Sequence, residues 1–158
     1  MASFGEGSGA YRQLMITSGH LTSVDSYDGS PYCNESSDGV VQFLDLSVPQ
    51  FGLPVYDWIV SIEVAEHIPA QFEHIYLDNI ARHAREGVII SWATPGQVGL
   101  SHVNCRPFSY VKDIMRDLGF EHDEDTSIKI KVNAPIILKN NLNVFVRKNP
   151  DETISVFS

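Results

Sequence analysis

The stretch FGEGSGAY, residues 4–11, decides how this chain is read. Gly5, Gly7 and Gly9 alternate with other residues. A loop of this kind lets the backbone approach a nucleotide closely, because glycine carries no side chain and tolerates positive φ. The segment after it, GAYRQLMITSG, reads as a short helix opening from the loop. Before it stands only MASF, where a buried strand is expected. The question is which ligand such a loop would hold.

Working outward, the order of elements predicts an open α/β sheet. HLTSVDSYDG reads as a strand ending in a turn, and VVQFLDL as a short β-rich run. YDWIVSIEV, residues 56–64, is apolar and β-branched, the pattern of a buried strand. PAQFEHIYLDNIARHAREG follows as a helix. Phe72, Tyr76, Ile80 and Ala84 recur at helical spacing, Pro69 suits the first turn, and Gly87 is placed to end it. GVIISWA is a second apolar strand suited to a parallel sheet covered on both faces. SYVKDIMRDLG is a helix with Ser109 as N-cap and Gly119 as C-cap. SIKIKV and LNVFVRK alternate, and predict a closing antiparallel strand pair. The fold class is therefore α/β: an open, mostly parallel sheet with helices on both faces and a C-terminal antiparallel pair.

Composition narrows the function. The 158 residues form one domain, 1–158, with 43% hydrophobic and 20% charged content, as in an ordinary globular protein. The net charge of −9 leaves no basic face for nucleic acid. No apolar run reaches a membrane span and no secretory signal opens the chain, so a cytoplasmic protein without a membrane partner is expected. Cys33 and Cys105 form no metal motif, and no metal is expected.

In such sheets ligands bind beyond the carboxyl ends of the strands. Asp28, in YDGSP about 20 residues past the loop, stands where a ribose-binding carboxylate belongs, or serves as an ordinary turn aspartate. Asp45 in FLDLS is placed to accept from an adenine amino group, or to make a turn or cap. Glu63, Glu66 and His67 follow the most buried strand, although Glu66-His67 also suits a solvated helix start.

Taken together, GEGSG, YDGSP, FLDLS and DWIVSIEVAEHIP resemble the class I S-adenosylmethionine-dependent methyltransferases, over residues 4 to 148. The post-strand EVAEHIP is similar to the signature of the quinone-biosynthesis-type members. The resemblance implies S-adenosylmethionine as cofactor and S-adenosylhomocysteine as product. It implies that Gly5, Gly7 and Gly9 pass under the cofactor, that Asp28 binds the ribose hydroxyls, and that Asp45 and Leu46 flank the adenine. Ser61, Ile62 and Glu63 would line the opposite wall. Two departures stand out: Ser3 replaces the acidic residue usual two positions before the first glycine, and Glu6 follows that glycine. Against the family, the N-terminal helix and most of the first strand are missing. A dimer covering that short strand is one expectation that follows.

Methyl transfer is a direct displacement, and positioning supplies most of the catalysis. A base is needed only for a protonated nucleophile. His67, and His102 in the long loop 95–107, are the candidates, each also readable as a plain surface residue. His74 and His83 read as structural or solvated. The absence of a (D/N)PP(Y/F) motif argues against nucleic-acid methylation. The expected function is methyl transfer to an oxygen or nitrogen nucleophile of a small molecule or protein side chain. A degenerate domain without catalysis is the alternative. An NAD-binding domain is the third, since Gly5, Gly7 and Ala10 also fit G-x-G-x-x-(G/A).

Overall fold

A computed structural model describes residues 1–19, 21 and 23–149. His20 and Thr22, at the start of the segment read as a strand, lie outside the described residues, as does 150–158. The elements run β1 (Ala2–Phe4), α1 (Ala10–Thr17), β2 (Asp25–Asp28), α2 (Cys33–Ser36), β3 (Val41–Phe43) and β4 (Tyr56–Ser61). They continue with α3 (Glu73–His83), β5 (Ala84–Ser91), α4 (Phe108–Asp117), β6 (Phe120–His122), α5 (Glu124–Val132) and β7 (Leu142–Arg147).

Among the described residues, seven strands form one sheet in the order β3-β2-β1-β4-β5-β7-β6. The β3, β2, β1, β4 and β5 neighbours are parallel, while β7 runs antiparallel to both β5 and β6. Consecutive residues are buried in β1 and at the ends of β4 and β5. Strands buried on successive residues are covered on both faces, which explains why the sequence there shows apolar runs instead of alternation. The short β1 lies in the middle of the sheet, between β2 and β4, with Ala2 and Phe4 fully buried.

The closing antiparallel arrangement is present, but one of its strands differs from the expected one. Residues 127–132 lie in helix α5, and β7 pairs instead with β5 and β6. The capping chemistry overrides the alternation. Asp123 accepts from the Thr126 amide at 2.9 Å and from its hydroxyl at 2.6 Å, with Glu124 and Asp125 in the first turn and Lys129 and Lys131 in the last. That charge order complements the helix dipole. Ile128 and Val132 remain exposed, so the period-two pattern never marked a buried face.

Gly87 does not end α3 either. The helix passes directly into β5 at Ala84, and Gly87 sits inside that strand. A Cβ there would lie 2.4 Å from the Trp58 ring and 2.7 Å from the Phe145 carbonyl oxygen, so close packing requires the glycine. Helix α4 starts one residue before Ser109, with Pro107 at the N-cap position, while Gly119 at φ +87° follows its C-terminus as expected.

Candidate cofactor pocket

The carboxyl ends of β1, β2, β3 and β4 open onto one cavity of about 550 Å³. Gly5, Glu6 and Gly7 line it from the end of β1, Asp28 and Ser30 from β2, Asp45 and Leu46 from β3, and Ile62 and Glu63 from β4, with His67 and Tyr11 completing the wall. The topology thus brings together residues that are some 60 positions apart in the chain.

The glycine loop is anchored from beneath. The amides of Gly5 and Glu6 both donate to the Tyr27 carbonyl, at 2.8 and 2.9 Å. Gly5 has φ +91°, and a Cβ on it would meet the Val64 side chain at 2.0 Å, so both conformation and space demand glycine. Gly9, also at positive φ, is the N-cap of α1 and does not line the cavity.

Asp28 is held by two amides: Gly7 N–H donates to Oδ2 at 2.7 Å and Ser30 N–H to Oδ1 at 2.7 Å. The first links the glycine loop to the end of β2. A carboxylate has about four acceptor positions, so each oxygen keeps capacity toward the cavity. Asp45 makes the turn that is one of its two expected readings. Its Oδ1 accepts from the Ser47 amide and hydroxyl at 2.8 and 2.6 Å, which is turn chemistry, and the residue still lines the cavity. Glu63 has φ +58°, rare for a residue with a side chain. Ser91 locks it there, accepting from the Glu63 amide at 2.7 Å and donating to Oε1 at 2.9 Å.

Ser61 is not part of the pocket wall. It is fully buried, donates to the Phe4 carbonyl at 2.9 Å and lies 2.9 Å from the Tyr76 hydroxyl, tying β4 to β1. Of the two histidines, only His67 lines the cavity. His102 stands behind it, with ring centroids 5.2 Å apart, and Cys105 Sγ lies 4.0 Å from its Nδ1. The loop that carries His102 is firmly tied. Glu73 accepts from Asn104 at 2.8 Å, from Arg106 at 2.9 Å and from the Tyr110 hydroxyl. Trp92 donates to the Asn104 carbonyl at 2.7 Å, and Arg106 N–H to the Ala93 carbonyl at 2.9 Å. The tip of the loop, with Val98 and Leu100, is exposed.

Sequence reasoning missed Glu6 as a pocket residue. It is 2% exposed, its Oε1 accepts from the Arg12 amide at 2.7 Å near the start of α1, and its Oε2 has no partner among the described residues. Its identity as a departure from the family pattern was the available signal. With Glu6, Asp28, Asp45 and Glu63, four carboxylates line the cavity, and no Lys or Arg is among the described lining residues. Burial and the charges of Glu63 and Glu6 push the Tyr11 phenol up, keeping it neutral.

By sequence, the chain matches no family model and no curated protein. By structure it matches many solved chains. Magnesium protoporphyrin IX methyltransferase from Synechocystis PCC 6803, with bound S-adenosylhomocysteine, superposes with a TM-score of 0.70 at 17% identity, over 92% of this chain and 73% of that one. A TehB-like S-adenosylmethionine-dependent methyltransferase from Corynebacterium glutamicum ATCC 13032 gives 0.66 at 20% identity, over 93% and 79%. The sugar N-methyltransferase KedS8 from Streptoalloteichus sp ATCC 53650 gives 0.68 at 14%, over 92% and 78%. The chain has the class I methyltransferase fold. Its strand order, with β7 inserted between β5 and β6, differs from the 3-2-1-4-5-6 order of dinucleotide-binding domains. Among the described residues, no helix is long and apolar enough to cross a membrane.

Proposed function

We propose that this chain is an S-adenosylmethionine-dependent methyltransferase acting on an oxygen or nitrogen nucleophile of a small molecule or a protein side chain. The observation that carries the reading is the charge of the pocket. Four carboxylates and a glycine loop surround it, without a lysine or arginine among the described lining residues. A cationic sulfonium with an ammonium group fits this field. A dinucleotide pyrophosphate does not, and this disfavours the NAD reading beside the strand order.

The residues present fit the cofactor part by part. Gly5 and Gly7 offer a surface without side chains. Asp28, pre-oriented by two amides, has acceptor positions left for two vicinal hydroxyls. Asp45 and Leu46, both lining the cavity, are the residues assigned to the adenine. Glu6, a lining residue whose buried Oε2 has no partner among the described residues, is the acid assigned to the ammonium, standing in for the one absent at Ser3. The cofactor supplies the activated methyl group. The chain's task is then to align an acceptor with it and exclude water. His67 stands at the wall, with His102 beside it and away from the cavity.

Calorimetric titration with S-adenosylhomocysteine and with NAD tests the reading: the first is expected to bind and the second not. Asp28→Ala is expected to weaken S-adenosylhomocysteine by roughly 1.5–3 kcal/mol, the cost of lost hydrogen bonds to a charged group. Binding of NAD alone, or a variant that binds like the parent, overturns the assignment.

A further inference from the structure

Glu66 is fully buried, yet among the described residues neither of its carboxylate oxygens has a hydrogen-bond partner. Its backbone is fixed, because its carbonyl accepts the amides of Val103 and Asn104 at 2.9 and 3.0 Å, folding the loop after β5 across it. A buried carboxylate without donor or cation is costly. Two imidazoles stand beside it. His67 Nδ1 lies 3.1 Å from the Ser101 carbonyl, and His102 Nδ1 lies 3.3 Å from the Gln97 carbonyl. If each Nδ1 carries the proton and donates to its carbonyl, each Nε2 keeps a free lone pair. Candidate ligand atoms of the three residues all lie within 4.8 Å of one another.

We infer that Glu66, His67 and His102 form a binding site for a divalent transition-metal ion, Zn²⁺ in the first instance, at the wall of the pocket. Bonds of about 2.0–2.2 Å require ligand atoms about 3–4 Å apart, so the cluster closes with roughly 1 Å of side-chain movement. Two imidazoles and one carboxylate suit zinc and its neighbours better than magnesium or calcium, which prefer all-oxygen sites. An Nδ1–H donated to a carbonyl is the usual outer support of a ligating histidine. Gly99 fits the same picture. A Cβ on it would lie 2.1, 2.3 and 2.5 Å from Nε2, Cε1 and Cδ2 of His102, a position over the ring face, so glycine seats the ring while the in-plane lone pair stays open.

Three protein ligands leave a fourth position for an oxygen, and His67 belongs to the pocket wall. On the methyltransferase reading, that position would take the acceptor's hydroxyl and lower its pKa, its proton passing to water; the oxygen would then bond to the methyl group as the methyl–sulfur bond breaks, leaving S-adenosylhomocysteine, with His67 and His102 as ligands and not as free bases. The substrate class is then a hydroxyl compound able to ligate the ion.

The test is titration of chelator-treated protein with Co²⁺, followed optically, and then displacement by Zn²⁺. One equivalent is expected, with visible cobalt bands. Glu66→Gln, His67→Ala and His102→Ala are each expected to weaken binding at least about ten-fold, and His74→Ala not at all. Thermal unfolding checks each variant. His102→Gln, in the partly exposed loop, serves if Glu66→Gln does not fold. Absence of stoichiometric binding, or variants that bind like the parent, overturns the site. S-adenosylhomocysteine is titrated in parallel: its binding without metal removes this inference and leaves the cofactor reading standing, while metal bound without it does the reverse.

Discussion

Replacing Glu73 by glutamine probes the joint that holds the loop after β5. The carboxylate is 5% exposed and accepts from Asn104, Arg106 and Tyr110 at once, with Arg106 also paired through its second nitrogen at 2.9 Å. Removing one partner of a buried ion pair costs about 3–5 kcal/mol. Glutamine keeps the shape and one acceptor but presents an amide donor to a cluster of donors, so roughly 2–3 kcal/mol is expected. With an m-value of about 2 kcal/mol/M, the urea midpoint falls by about 1–1.5 M, read by circular dichroism. The pH dependence supplies the internal check. Burial raises the Glu73 carboxyl, but the hydrogen bonds from Tyr110, Asn104 and Arg106 outweigh it and hold it below the ordinary value of 4.5. A depressed carboxyl stabilises fully above its unfolded value and loses that contribution as pH falls through the folded one. The gap between parent and variant should therefore stay constant above about pH 4.5 and narrow only below it. A midpoint shift under about 0.3 M, or a gap that narrows already near neutrality, refutes the reasoning.

Further expectations follow from other sites. Gly87→Ala drives a methyl group into Trp58 and the β7 backbone and is expected to cost about 1–3 kcal/mol or more; a parent-like urea midpoint would show that the strands can part. Burial lowers the His83 imidazole below its usual 6.5. A lowered base favours the protonated unfolded chain, so stability should decline below pH 6.5 by at most about 1.4 kcal/mol per pH unit. A His83→Leu variant with an unchanged slope would assign that decline elsewhere. Addition of S-adenosylhomocysteine should slow hydrogen exchange in residues 95–101 of the loop, while 102–106, already bonded to Glu66, Glu73 and Ala93, change little. Equal slowing across both halves would mean that the whole loop closes as a unit.

The sequence by itself determined the elements whose signals are local. The loop at 4–11 demanded positive φ. The apolar runs at 56–64 and 87–93 pointed to buried strands, and the order of elements placed Asp28, Asp45 and Glu63 at one rim. These features depend on neighbours a few residues away, so composition and spacing expose them. Only the tertiary structure decided the rest. The alternation at 127–132 concealed a capped helix, because a period of two reports nothing about which face is buried. Gly87 is a glycine because Trp58 and Phe145 press on it across two strand pairings. Ser61 faces Phe4 and Tyr76 instead of the cavity, and His102 stands behind His67. Glu73 holds residues 31 to 37 positions away, and the unpartnered oxygens of Glu6 and Glu66 are visible only once burial is known. Burial and pairing of polar groups are set by contacts between distant segments, and no short window of sequence carries them.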